Sequence, residues 1–252
     1  MDLGLNDRVY VITGATRGLG FATAQSLTEE GARVVLTGRS QEAVDEAVAR
    51  LGDARAVGVT GDNADPATAA RLVETARNRF GRFDGVLISV GGPPAGQGEA
   101  ITDEQWRSAF ESVFLGAVRL ARTCAGELEA GGVIGFVLSA SVREPIPMLT
   151  VSNGLRPGLA GFAKSLANEV GPRGIRVLGL LPSRIDTDRV RELDALADDP
   201  ATAKARHIAG IPLGRYGTPE EFGRTATFVL SPAASYLTGV MLPVDGGAGH
   251  GI

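Results

Sequence analysis

The chain has 252 residues, of which 44% are hydrophobic, and its net charge at pH 7 is −4. This composition is sufficient for a folded core and gives no indication of disorder. The acidic balance argues against nucleic acid as a partner, and no run of about 18 apolar residues suggests a membrane span. Residues 1–8 lack the basic and apolar regions of a signal peptide, so we expect a cytoplasmic protein.

Short apolar runs alternate with longer amphipathic ones along the chain. The short runs are rich in Val, Ile and Leu, as buried strands are, and predict strands at 8–13, 33–37, 54–59, 85–90, 133–139, 176–181 and 240–244. The amphipathic runs predict helices near 19–30, 41–51, 66–80, 103–129, 152–170 and 219–230. This alternation predicts an α/β fold, a single domain over residues 1–252 with a parallel sheet between helices.

A glycine-rich segment, residues 13–20 (TGATRGLG), follows the first predicted strand and opens the first predicted helix. Glycines at such a turn let the backbone approach a pyrophosphate, whose charge the helix N-terminus stabilises. A tight structural turn is the alternative, but the strand–turn–helix context favours a dinucleotide. We therefore predict that a cofactor is bound by Gly14, Thr16, Arg17, Gly18, Leu19 and Gly20.

The end of the second predicted strand indicates which dinucleotide is bound. NAD-binding proteins usually place an acidic residue there, which holds the ribose 2′-hydroxyl. Residues 36–40 read LTGRS and contain no carboxylate. Arg39 and Arg17 are predicted to bind a 2′-phosphate instead, because guanidinium groups match phosphate geometry. The alternative is that both arginines are solvated surface residues, but the pattern favours NADP(H).

Several further segments carry a resemblance to a known family. These are Asp62 and Asn63 after the third predicted strand, residues 211–221, residues 235–239 and residues 244–247. With the glycine-rich segment, they resemble short-chain dehydrogenases/reductases of the group that includes 3-oxoacyl-carrier-protein reductases. The resemblance implies a seven-stranded Rossmann sheet, a homotetramer and a small-molecule substrate, with a substrate lid at residues 186–210. It also implies cofactor contacts from Asp62, Asn63, Gly91, Pro182 and Thr187.

The catalytic residues of that family are Asn, Ser, Tyr and Lys, and three of the four positions differ here. The family's Ser corresponds to Ser139, whereas its Tyr corresponds to Ser152, its Lys to Arg156 and its Asn to Val113. The resemblance therefore implies an altered catalytic set of Ser139, Ser152 and Arg156. No metal site is predicted.

Reduction of a carbonyl group needs a proton donor within hydrogen-bonding reach of the new alkoxide. Without the tyrosine, we consider a hydroxyl cluster of Ser139, Ser141 and Ser152, with Arg156 stabilising an oxyanion. Other candidates are Glu144, if burial raises its pKa, and His207 in the predicted lid.

Three functions are compatible with the sequence. The intact cofactor segment favours an atypical NADP(H)-dependent oxidoreductase that acts on a ketone, alcohol or acyl-type substrate. A non-redox enzyme is the second hypothesis, since haloalcohol dehalogenases carry Arg at the Lys position, although they keep Tyr and lack the glycine loop. The third is a catalytically inactive NADP(H)-binding sensor or partner protein.

Overall fold

The computed structural model describes residues 1–251 and contains a seven-stranded sheet whose strands are all parallel. Its order is β3-β2-β1-β4-β5-β6-β7. The strands are β1 (Val9–Ile12), β2 (Arg33–Gly38), β3 (Ala56–Thr60), β4 (Gly85–Ile88), β5 (Val133–Val137), β6 (Arg176–Pro182) and β7 (Met241–Val244). The predicted seven-stranded Rossmann fold is confirmed, and strand boundaries differ from the predicted ones by at most two residues.

Helices cover both faces of this sheet. They are α1 (Gly18–Glu29), α2 (Gln41–Leu51), α3 (Thr68–Phe80), α4 (Asp103–Ala109), α5 (Gly116–Glu127), α6 (Thr150–Val170), α7 (Asp188–Asp194), α8 (Pro200–Ala209) and α9 (Pro219–Leu230). None of the helices in residues 1–251 is long and apolar enough to span a membrane.

Two hydrophobic cores lie on opposite sides of the sheet, and successive strand residues contribute to one or the other. In β1, Val9 and Val11 pack with α3, α5 and α6, whereas Tyr10 and Ile12 pack with α1, α2 and α9. All four side chains are at most 1% exposed. The strands are therefore continuously apolar because both of their faces are buried.

The structure corrects the predicted helix at residues 103–129. A π-helical segment, Phe110–Leu115, separates α4 from α5, and the Gly116 amide donates to the Glu111 carbonyl five residues earlier. The π-helical segment is only six residues long within a long helical pattern, so the sequence pattern did not reveal the wider turn. This segment turns Ser112 and Val113 toward the carboxyl edge of the sheet. Within the predicted lid, the structure adds α7 and α8, neither of which was predicted.

The strand order changes direction between β1 and β4, where α/β proteins open a crevice. Thr13 holds the strand ends at this point. Its buried hydroxyl donates to the Ser89 carbonyl at 2.7 Å and accepts from the Ser89 amide at 2.9 Å. The Asn63 side-chain amide donates to the same hydroxyl at 3.4 Å. One side chain thus connects the segments that follow β1, β3 and β4.

Candidate active site

A cleft of about 610 Å³ lies at the carboxyl edge of the sheet, above the change in strand direction. It brings together every residue predicted for cofactor binding and the altered catalytic set of Ser139, Ser152 and Arg156, although these residues come from seven separate segments. Those that line it are Gly14, Thr16, Arg17, Gly18, Leu19, Gly20, Arg39, Asp62, Asn63, Gly91, Ser139, Ser152, Arg156, Pro182 and Thr187.

The glycine loop fits a pyrophosphate on its own geometry. Gly14 has φ of 56°, and a Cβ there would lie 2.7 Å from the Ser89 carbonyl oxygen, so a larger residue is excluded. A Cβ on Gly20 would lie 2.5 Å from the Gly14 carbonyl oxygen. No side chain caps the N-terminus of α1, and its first turn has no acidic residue. The positive end of the helix is therefore open toward the cleft for an anion.

Two arginines lie at the outer end of the cleft. Arg39 directly follows β2 and is exposed. Arg17 is 70% exposed, and its Nη1 lies 3.5 Å from the Asp188 carboxylate at the start of α7. An exposed ion pair at this distance contributes little to stability, so Arg17 can exchange Asp188 for another anion at small cost. The Asp62 carboxylate accepts from the Ala64 amide at 2.9 Å, which fixes the turn after β3.

The inner end of the cleft contains serine hydroxyls. Ser139 ends the extended segment after β5, and its Oγ accepts a hydrogen bond from the Ser141 amide at 3.1 Å. The hydroxyls of Ser141 and Ser152 lie 3.0 Å apart, and both side chains are buried. Within residues 1–251 no tyrosine or lysine lines the cleft. Hydroxyls and a guanidinium are therefore the polar groups available at this end.

The three tyrosines lie elsewhere. Tyr10 belongs to β1, and its side chain is buried on the face of the sheet that packs against α1, α2 and α9, where its hydroxyl donates to the Leu230 carbonyl at 3.3 Å. Tyr216 donates to the Asp194 carboxylate at 2.9 Å, and Tyr236 is fully exposed. Burial raises the pKa of Tyr216 to about 12. The fold therefore brings no phenol to the inner end of the cleft.

Arg156 lies one helical turn after Ser152 on α6 and is only 5% exposed. Its Nη1 donates to the Val137 carbonyl at 2.5 Å, and within residues 1–251 this is the only hydrogen bond of the guanidinium. No carboxylate neutralises it in that part of the chain. Burial without a counter-ion lowers the pKa of Arg156 to about 10, so the group is positively charged at neutral pH.

Comparison with known proteins is consistent with this geometry. The family model described as Enoyl-(Acyl carrier protein) reductase matches residues 14–249. The chain is 31% identical to 3-oxoacyl-(acyl-carrier-protein) reductase FabG of Salmonella typhimurium, with 97% of this chain and 98% of the relative covered. It is 32% identical to the short-chain reductase protein NovJ of Streptomyces niveus, with 96% and 94% covered. The chain belongs to the short-chain dehydrogenase/reductase family.

Solved structures of this family agree in fold. L-sorbose reductase from Gluconobacter frateurii, crystallised with NADPH and L-sorbose, superimposes with a TM-score of 0.91 at 30% identity, and the match covers 100% of both chains. A short-chain dehydrogenase/reductase from Brucella melitensis gives a TM-score of 0.92 at 27% identity, again over 100% of both chains.

Glu144 and His207, the other two proton donors considered from the sequence, do not line the cleft. Glu144 lies at a smaller cavity behind Ser183, where it accepts hydrogen bonds from the His250 amide at 2.9 Å and ring at 3.1 Å. These hydrogen bonds lower the pKa of Glu144, so the expectation of a raised pKa is wrong. Arg143 is also at this smaller cavity, with its guanidinium on the Met241 carbonyl.

His207 belongs to a polar network that holds the lid segment (residues 186–210) and does not line the cleft. Its Nε2 lies 2.9 Å from Nη2 of Arg184, which is a donor, so Nε2 accepts and Nδ1 carries the proton. Nδ1 then donates to the Tyr216 hydroxyl at 3.2 Å, and that hydroxyl donates to Asp194. Asp194 also pairs with Arg184 at 2.9 Å. The network connects α7, α8 and the segments on either side of them.

The cleft also contains residues that the sequence did not single out. Ser108 and Ser112 line it from the π-helical region, and the Ser112 hydroxyl donates to the Ser108 carbonyl at 2.9 Å. Arg184 and Arg189 line it from the lid side, and Nη2 of Arg189 donates to the Pro93 carbonyl at 2.7 Å. The four-residue spacing of the two serines was the available signal, whereas nothing in the sequence distinguished these arginines from other arginines.

The network predicts a pH dependence of stability. Burial, and next the Arg184 charge, lower the folded-state pKa of His207 below its ordinary value of 6.5. The unfolded chain therefore binds more protons as pH falls through about 6.5, and stability present above that pH is lost toward the lower folded-state pKa. We expect the urea midpoint to fall between pH 7.5 and 5.5, and to fall less in His207→Gln.

The other histidine provides the matched control. His250 is 88% exposed and lies outside the lid network, so His250→Gln should keep the fall seen in the unmodified protein. An equal fall in His207→Gln would contradict the assignment of this pH dependence to the network.

Proposed function

We propose that the protein is an NADP(H)-dependent reductase of ketone or oxoacyl-type substrates that works without the family's Tyr–Lys pair. One observation supports this most strongly: a single cleft joins the glycine loop to a group of hydroxyls and a buried guanidinium. The family membership and the NADPH-bound sorbose reductase are consistent with a nicotinamide cofactor. The names of FabG and sorbose reductase support a carbonyl group as the reacting centre.

Each part of the cofactor has residues suited to it. The loop residues Gly14, Gly18 and Gly20 and the α1 N-terminus suit the pyrophosphate. Arg39 suits the 2′-phosphate, and Arg17 can join it once the ion pair between Arg17 and Asp188 has opened. Asp62 and Asn63 lie at the adenine end by the family resemblance. Gly91, Pro182 and Thr187 line the inner half of the cleft, where we propose that the nicotinamide binds.

When bound, NADPH would supply a hydride for the substrate carbonyl carbon, and solvent would supply the proton that completes the alcohol. Ser139 and Ser152 are proposed to hydrogen-bond the carbonyl oxygen. The Ser152 hydroxyl lines the cleft, where it can receive a proton from water and pass one toward the oxygen, and the buried Ser141 hydroxyl, 3.0 Å away, orients it. The charge of Arg156 stabilises the negative charge that develops on that oxygen, and its effect is strengthened by the buried surroundings.

The lid segment is proposed to cover the substrate. It contacts both walls of the cleft, through Arg189 at Pro93 and through Asp188 at Arg17.

We also propose a homo-oligomer, a tetramer by family resemblance, since Phe110 is 42% exposed while stacking on Phe114 at 5.2 Å. Light scattering should give a mass several times 26.0 kDa. A mass equal to that of one chain would contradict the assembly.

Cofactor choice is tested with Arg39→Ala. A lost charge-assisted hydrogen bond to phosphate is worth about 1.5–3 kcal/mol, which corresponds to roughly a ten- to hundred-fold increase in the Kd for NADPH. The Kd for NADH, which has no 2′-phosphate, should not change. Calorimetry measures both constants. Arg224→Ala, at an exposed arginine on α9, is the matched control and should bind NADPH normally. Equal affinity of the unmodified protein for NADH and NADPH would contradict NADP(H) preference.

Catalysis is tested by absorbance at 340 nm with NADPH and a panel of ketones and oxoacyl thioesters. We expect slow turnover by the unmodified protein. The double substitution Ser152→Tyr/Arg156→Lys supplies a phenol and an amine, and a general acid typically contributes about 10²–10⁴ in rate. We therefore expect kcat to rise by about 100-fold, with little change in the Kd for NADPH.

The result separates the remaining hypotheses. NADPH binding without turnover by either protein would contradict the reductase and support the sensor. Absence of NADPH binding would contradict both.

A further inference from the structure

We propose that Arg156 binds the carboxylate of an anionic substrate, so that the substrates are short oxo acids whose keto group lies beside the carboxylate. This rests on the proposed function and narrows its substrate class. The starting observation is the uncompensated charge of a side chain that is 95% buried and lines the cleft. A buried cation without a counter-ion is strongly disfavoured, and a bound anion removes that penalty. The lowered pKa of Arg156 is a second consequence of the same burial.

The free edge of the guanidinium indicates the kind of anion. Nη1 is occupied by the Val137 carbonyl, whereas Nε and Nη2 have no partner within residues 1–251. These two nitrogens form the edge that binds a carboxylate through two parallel hydrogen bonds. A single guanidinium also matches one negative charge. Arg184 and Arg189, the other arginines on this side, are already engaged with Asp194 and the Pro93 carbonyl, so a doubly charged phosphate lacks a second free cation.

The cofactor's phosphates lie too far away to serve as this anion. Arg156 contacts the end of β5, whereas Arg39 follows β2, and β1 and β4 lie between those strands. Neighbouring strands are about 4.8 Å apart, so the two ends are separated by roughly 14 Å. The glycine loop follows β1, two strands from β5, which corresponds to roughly 10 Å. The anion at Arg156 is therefore a separate group.

The charge of the whole cleft favours the same substrate class. Five arginines and three acidic residues line it, a surplus of two positive charges in a chain whose net charge is −4. A positive cleft in an acidic protein concentrates anions at the site. Ser152 precedes Arg156 by one turn on the same face of α6, so a keto oxygen next to the bound carboxylate lies near its hydroxyl.

Calorimetry on the full chain, with and without NADP⁺, tests the proposal with 2-oxobutanoate, whose keto group adjoins the carboxylate, and with its uncharged methyl ester. We expect the acid to bind at least about tenfold more tightly than the ester. Arg156→Met should abolish the preference for the acid, so that the acid and the ester bind with about equal affinity. Arg156→Lys, which keeps the charge but not the two-pronged edge, should give an intermediate value. Arg122→Met, at an exposed arginine on α5, is the matched control.

Three binding results would overturn the proposal, and so would one kinetic result. The first is equal affinity for acid and ester in the unmodified protein, a comparison that needs no variant to fold. The second is undiminished acid binding in Arg156→Met. The third is that Arg156→Met weakens NADP⁺ binding while acid binding persists, which would assign the guanidinium to the cofactor. Reduction of neutral ketones at the same rate as oxo acids would reject this inference but leave the proposed reductase intact. Failure to bind NADPH would reject the proposed reductase but leave this inference intact, since acid binding is also measured without cofactor.

Discussion

The buried hydroxyl of Thr13 is the interaction on which the site depends. It joins the ends of β1 and β4, which separate at the crevice, and the Asn63 amide after β3 donates to it. Because all strands are parallel, every loop that carries a functional side chain leaves the sheet at this edge. Its position between the two halves of the sheet brings the glycine loop and the loop after β4 against one another, and the Gly14 backbone lies on the Ser89 carbonyl.

The two ends of the cleft differ in their electrostatics. At the outer end, Arg17 and Arg39 are exposed, and water screens their charge, so they can take or release an anion at small cost. At the inner end, Arg156 is buried beside neutral hydroxyls, where its charge is felt strongly. We propose that a buried guanidinium in place of an amine, with serine in place of a phenol, makes the inner end a site that stabilises anions instead of one that donates protons. The outer end keeps the ordinary features of a dinucleotide site.

The lid segment is held from both sides by polar contacts. Asp194, Arg184, His207 and Tyr216 form one network behind it, while Arg189 and Asp188 reach the two walls of the cleft in front. These contacts join short helices that bury few apolar side chains, and α8 has no fully buried residue. Polar contacts of this kind are more easily exchanged than a hydrophobic core, which is consistent with a segment that admits a substrate.

The sequence by itself determined the fold class, the strand runs and the glycine loop, because buried parallel strands and a tight βα turn restrict residue type at each position. The residues at 139, 152 and 156 were also found from the chain alone, because long matching segments flank them. The tertiary structure alone decided which polar groups meet. Within residues 1–251, Arg156 has no carboxylate partner and donates only to the Val137 carbonyl. Ser141 pairs with Ser152, and Glu144 and His207 contact other partners. Such pairings depend on distances between side chains far apart in sequence, and periodicity contains no information about them. The sequence also did not predict the π-helical segment. Its wider turn covers only six residues of a long helical pattern, although it rotates the side chains that follow relative to those before it.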